Sequence, residues 1–209
     1  MSGSVEKAAL ELRTGGMAIV ADEHGATLVL GALFATGRVI EFVAREAHGP
    51  VCLALPAAAG GGRVEPISAA GTLPELDQRA GAVRSVAEAL AAGRRLDSPR
   101  LLRDEAVAGD AAVSVARLDA SLELATLAGL FGAALLCPIR SESGASAGPT
   151  ALASFGRRHD LPSVSATDVL AYGPHRVDPR SQRPRPRAVT RATTYARRLV
   201  GAAAPAQAA

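Results

Sequence analysis

Two apolar runs, MAIVA (17–21) and ATLVLGA (26–32), are separated only by Asp22, Glu23, His24 and Gly25. This constrains the fold more than any other stretch. Each run is short, lacks helical spacing and fits a buried strand. A polar connection this short that contains glycine admits an antiparallel hairpin. The rest of the chain alternates strand and helix patterns, which specifies an α/β domain. The embedded hairpin makes the sheet mixed.

The flanking pieces follow from spacing. SVEKAALELRT (4–14) suits a helix, with Ser4 as its cap and Gly15-Gly16 as its stop. In TGRVIEFVAREAHG (36–49), Val39, Ile40, Phe42 and Val43 share a helical face that ends at Gly49. PVCLALP (50–56) is a buried strand, and a short strand is expected at 64–67. LPELDQRAGAVRSVAEALAAG (73–93) is a helix that buries Leu76, Val83, Val86 and Leu90 and stops at Gly93. Residues 97–117 look irregular, with short strands. DASLELATLAGLFG (119–132) is an apolar helix capped by Asp119 or Ser121. AALLCPI (133–139) is a strand, SAGPTALASFGRRHD (146–160) a helix, and PSVSATDVLAYG (162–173) a strand with a helical turn.

Charge is unevenly placed. The formal net charge is +3, yet residues 176–198 are dense in arginine with Asp178 as their single acid, so residues 1–173 are mildly acidic. From 174 onward the chain is rich in Arg, Pro and Ala and fits a disordered or docking arm, with a short helix near 188–201. Lys7 is the only lysine, and an Arg-for-Lys bias with heavy Ala and Gly use points to a GC-rich genome. Aromatics are 3% and tryptophan is absent, so base-stacking platforms and nucleic-acid binding are not expected. Cys52 and Cys137 lie in apolar runs and are expected as free thiols. The N-terminus has no apolar leader and no run is long enough to cross a membrane, so a cytoplasmic protein with no membrane partner is the expectation.

The order of four segments carries a resemblance: VEKAALELRTGGMAIVAD, REAHGPVCLAL, DASLELATLAGLFGAALLC and ALASFGRRHDLPSVSATDVLAY. Together, over about residues 5–173, they resemble 3,4-dihydroxy-2-butanone 4-phosphate synthase, which makes the four-carbon unit of riboflavin from ribulose 5-phosphate. The resemblance implies a three-layered α/β/α domain on a mixed sheet, a homodimer and magnesium chemistry that releases formate. Its machinery is an acidic DRENEGD loop after the first strand, a GHTEA motif before the apolar helix, and a Glu after the later LC.

This sequence departs at each point. About three loop residues are missing after IVADEH, and Asp22 and Glu23 match only the start of the acidic loop. The GHTEA position holds Ala116 to Ala120: Arg117 stands for the metal-binding His and Leu118 for the phosphate-binding Thr. The Arg of the family's preceding TRGG falls near Ser114, and Pro138 replaces the Glu. Arginine offers no lone pair to a cation. The magnesium sites are therefore expected to be lost, with no cofactor in their place and the parent reaction with them.

The candidate catalytic residues are Asp22, Glu23, His24, Arg117, Asp119 and Cys52, with Ser114 and Arg117 for substrate. Each has an ordinary alternative. The acidic knot can be a hairpin tip, or can offer His24 as an acid or base. Asp119 can cap the helix with Arg117 a solvated or salt-bridged neighbour, or Arg117 can be a fixed cation for a carboxylate, phosphate or enolate. Cys52 can be a packed strand residue or a nucleophile. The expectation is a repurposed, metal-independent lyase or isomerase acting on a small metabolite through an enol-like intermediate in bacterial specialised metabolism. The alternative is a non-catalytic homologue that binds a ligand or regulates an active synthase. Residual synthase activity ranks last.

Overall fold

A computed structural model describes residues 2–56, 63–94 and 113–172. The glycine-rich stretch at 57–62, most of the irregular segment and the arm from 174 onward lie outside them. The hairpin forms: β1 (Met17–Asp22) and β2 (Gly25–Gly31) run antiparallel with Asp22 opposite Gly25, which leaves Glu23 and His24 as the turn. Gly25 takes φ 144°, a conformation that favours glycine.

Around this hairpin the other strands assemble: β3 (Val51–Leu55), β4 (Arg63–Ile67), β5 (Ala134–Pro138) and β6 (Ser163–Ser165). Their order is β4-β3-β5-β2-β1-β6. Only β1 and β6 pair in parallel; the other pairings are antiparallel, so the sheet is mixed as expected.

Strand alternation places successive side chains on opposite faces. On one face pack α1 (Ser2–Arg13), α4 (Val115–Leu127) and α6 (Ala166–Tyr172), which also touch one another. The other face carries α2 (Gly37–Ala47), α3 (Leu73–Ala91) and α5 (Pro149–Arg158). There Leu28, Leu30 and Leu135 meet Val39, Ile40 and Val43 of α2. The result is the expected three-layered α/β/α domain. No described helix is long and apolar enough to cross a membrane.

Three local expectations are corrected. The first helix starts at Ser2, upstream of the expected Ser4 cap. Neither Asp119 nor Ser121 caps α4: the cap is Ser114, whose Oγ accepts the Arg117 N–H at 3.2 Å. The helix therefore takes in residues expected to be irregular, and Asp119 falls inside it. The helix α2 ends where expected, but the left-handed residue is His48 (φ 56°) rather than Gly49. Gly49 answers a different need: a Cβ there would sit 2.0 Å from the Pro138 carbonyl oxygen.

Candidate functional site at the hairpin turn

The two-residue turn is held by its own first residue. Asp22 Oδ1 accepts the backbone N–H of His24 at 2.8 Å, a local bond that short acidic side chains make readily. The other carboxylate oxygen, Oδ2, accepts the Ser114 hydroxyl and the Arg117 Nε–H, the latter at 3.1 Å. Both partners come from the start of α4, which packs on this face of β1 and β2. Arg117 also places Nε 3.2 Å from Ser114 Oγ and Nη1 3.4 Å from Thr27 Oγ1. It is only 4% exposed, so its charge is held inside the fold against Asp22.

This environment sets the ionisation of Asp22. Burial alone would raise its pKa. The Ser114 hydroxyl, the His24 N–H, the Arg117 guanidinium and the His24 charge together outweigh burial and hold it below the ordinary 3.8. Beside it, His24 Nε2 lies 3.3 Å from Glu23 Oε1 at the exposed tip.

Asp22, Glu23, His24 and Ser114 border an open cleft of about 660 Å³. Its opposite wall is β6 and the start of α6, which bring Ser163, Ser165 and Thr167. Sequence reasoning missed these hydroxyls and Thr27. The alternating polar positions of SVSAT were the available signal, because they put two serines on one side of a short strand. The described lining holds carboxylates, hydroxyls and one imidazole, and no lysine or arginine.

The remaining candidates do not join this cleft. Arg117 lies buried behind Asp22 and pairs with it. Asp119 is exposed on α4, two residues from Arg117 and so turned away from it around the helix. Cys52 faces the α4 side but sits in the buried row Cys52–Leu136–Val29, under the helix layer. Burial pushes its thiol up to about 11 and that of Cys137 to about 12, so neither is a thiolate near neutrality. The register puts the two cysteines on opposite faces of the sheet: Cys52 pairs with Leu136, and Cys137 is the next residue along.

Both oxygens of Asp22 already accept protein donors, the His24 N–H on one and Ser114 and Arg117 on the other. Among the described residues no three His, Cys, Asp or Glu side chains gather to hold a metal.

No protein-family profile matches the chain. It is 23% identical over 203 residues to the riboflavin biosynthesis protein RibBA of Synechocystis, covering 82% of this chain and 36% of that protein. It is 27% identical over 195 residues to the 3,4-dihydroxy-2-butanone 4-phosphate synthase of Sulfurospirillum multivorans, covering 80% and 54%. A local match of 54 residues to the Sodalis glossinidius synthase reaches 39% identity, over 26% of this chain and 25% of that one. The chain thus spans between a quarter and about half of the length of these relatives. Among solved structures, the two-domain synthase RibBX of A. baumannii superposes with a TM-score of 0.61 at 24% identity, over 80% of this chain and 57% of that one. The Candida albicans synthase gives 0.54 at 21% identity, over 80% and 96%. The sequence relatives and the fold agree: at low identity, the chain is a divergent relative of the 3,4-dihydroxy-2-butanone 4-phosphate synthases.

Proposed function

We propose that this protein is a synthase-fold homologue that no longer runs the parent reaction and uses the cleft beside the β1–β2 turn to hold a small, polar, non-anionic metabolite. The observation that carries this reading is the ion pair between half-buried Asp22 and buried Arg117. A phosphosugar enzyme needs accessible positive charge for the phosphate and open oxygen ligands for hard cations. Here Arg117 pairs with Asp22 of the cleft wall, and both hold the turn. The polar groups that face the described cleft are hydroxyls, carboxylates and the His24 imidazole, set among small apolar side chains, which suits hydrogen bonding to a polyol or an amine.

A second reading keeps catalysis. Glu23 and His24 form an acid–base pair at the rim, and a metal-independent proton transfer next to a carbonyl would need little more than that. The first reading is favoured because the other candidate catalytic groups, Asp119 and Cys52, lie outside the cleft.

One assay separates both from the parent activity. Purified protein with ribulose 5-phosphate and magnesium is expected to release no formate above the protein-free rate. Formate release at the rate of an active synthase overturns the proposal. Hydrogen–deuterium exchange into small hydroxyketones, absent in His24→Ala, would move the conclusion to the second reading.

A further inference from the structure

The helix α5 buries only one residue of its own, Phe155. Its second anchor is the residue that ends it, His159, which is 9% exposed. The imidazole stands edge-on to Phe42 of α2, with centroids 5.4 Å apart at 89°, and tilts over Phe155 at 4.7 Å and 59°. Its Nε2 is fully buried, has no hydrogen-bond partner, and lies 3.4 Å from Glu46 Oε2. Glu46 is already engaged on its other oxygen by Arg45 Nε at 3.0 Å. Arg45 also lies over the Phe42 ring, 5.9 Å from its centroid. The charged groups around the ring are therefore Glu46 and Arg45 from α2 and Arg158 from α5.

A neutral imidazole packs here as a third ring between two phenylalanines. An imidazolium would lose its water and face one shared carboxylate and two arginines. We infer that His159 is a proton-sensitive latch that fastens α5 to α2 when neutral and releases it when charged. Burial, first, and Arg158 favour the neutral form, and Glu46 opposes them without prevailing, so the ring titrates below the ordinary 6.5.

The latch bears on the cleft through the chain on either side of α5. Four residues past His159 the chain enters β6, whose Ser163 and Ser165 form the outer wall of the cleft. Before α5, Ser146 abuts the turn: a Cβ built on Gly25 would lie 3.3 Å from its Oγ. Release of α5 thus loosens the two segments that border the hairpin tip, while β2, β3 and β5 stay put. The inference stands on these contacts whatever ligand the cleft takes.

The sign follows from proton linkage. The open latch binds a proton near 6.5, and the closed latch only at lower pH. Between those values opening becomes more favourable by up to about tenfold per pH unit of acidification. Hydrogen-exchange mass spectrometry on the full chain at about pH 8 and about pH 5 tests this, after correction for intrinsic exchange. Protection across 149–165 is expected to fall at the lower pH while that of β2 and β5 holds. In His159→Phe the fall is expected to vanish, and in Glu46→Gln to deepen. A proton NMR titration of His159 should give a midpoint below that of free histidine, which keeps the test alive should His159→Phe not fold. Equal protection at both pH values, an unchanged fall in His159→Phe, or a midpoint at or above free histidine overturns the latch.

Discussion

Arg117→Met is expected to lower the free energy of unfolding by about 3 kcal/mol, with Asp22→Asn costing a similar amount. The guanidinium is nearly fully buried and its neighbours include Asp22, Ser114 and Thr27. Arg117→Met leaves the half-buried Asp22 carboxylate with only Ser114 and the His24 N–H, and Asp22→Asn takes the opposing charge away from a buried guanidinium. The double variant Asp22→Asn/Arg117→Met should lose clearly less than the sum of the two, because no charge is left behind. Urea unfolding of all four proteins measures this directly. Wild-type midpoints in both single variants would show that the pair does not hold the turn.

The same pair predicts an acid limb. Asp22 has its folded pKa depressed below 3.8, so its contribution is complete above the unfolded value. It is lost as pH falls through the lower folded value, because the unfolded chain takes up the proton first. Arg117→Met removes one of the causes of that depression. Its unfolding free energy should therefore fall less steeply than that of the wild type below pH 3.8.

The second large effect is expected at Gly49. An added methyl would lie 2.0 Å from the Pro138 carbonyl oxygen and 3.3 Å from Cys137 Sγ. The first of these is backbone at the end of a central strand and cannot swing away. Gly49→Ala should cost about 3 kcal/mol, the upper end of overpacking effects. Gly148→Ala is the matched control: it adds the same methyl at the cap of α5, where a Cβ meets nothing within 4 Å. Its effect should stay within about 0.5 kcal/mol. A thermal shift at Gly49→Ala no larger than the control's would refute the packing argument.

Gly49 also illustrates how much was legible beforehand. Its position at the helix end could be read from the sequence, but its chemistry could not. The left-handed turn fell to His48, and the glycine is required by a strand that lies far along the chain. The hairpin was legible because two apolar runs and a polar knot are local signals. The α2 face was legible because its four apolar residues repeat at helical spacing. The start of α4 was not: Ser114, Asp119 and Ser121 are equally good caps by residue type, and SVAR has no apolar rhythm to choose between them.

The site was legible in part, for the same reason. Asp22, Glu23, His24 and Ser114 could be singled out, and they do share the cleft. The Asp22–Arg117 pair joins residues 95 positions apart and depends on how α4 lies across β1. No local pattern reports that. Asp119 and Cys52 were singled out by residue type and by the place of their segments in the resemblance. Helix phase turned one away from the cleft and strand row placed the other beneath a helix.

The register of the turn has a consequence for how this protein can change. Asp22 is paired directly with Gly25, so there is room for two residues between the strands and no more. Point substitutions can alter which side chains stand there but cannot lengthen the connection. A longer acidic loop would require inserted codons. Insertion would also uncouple Asp22 from the His24 amide that now orients it. Random mutagenesis confined to single-base changes should therefore leave the length of this turn unchanged. It has much freer access to new specificities at Ser163, Ser165 and Thr167, where one exchanged side chain reshapes the opposite wall of the cleft.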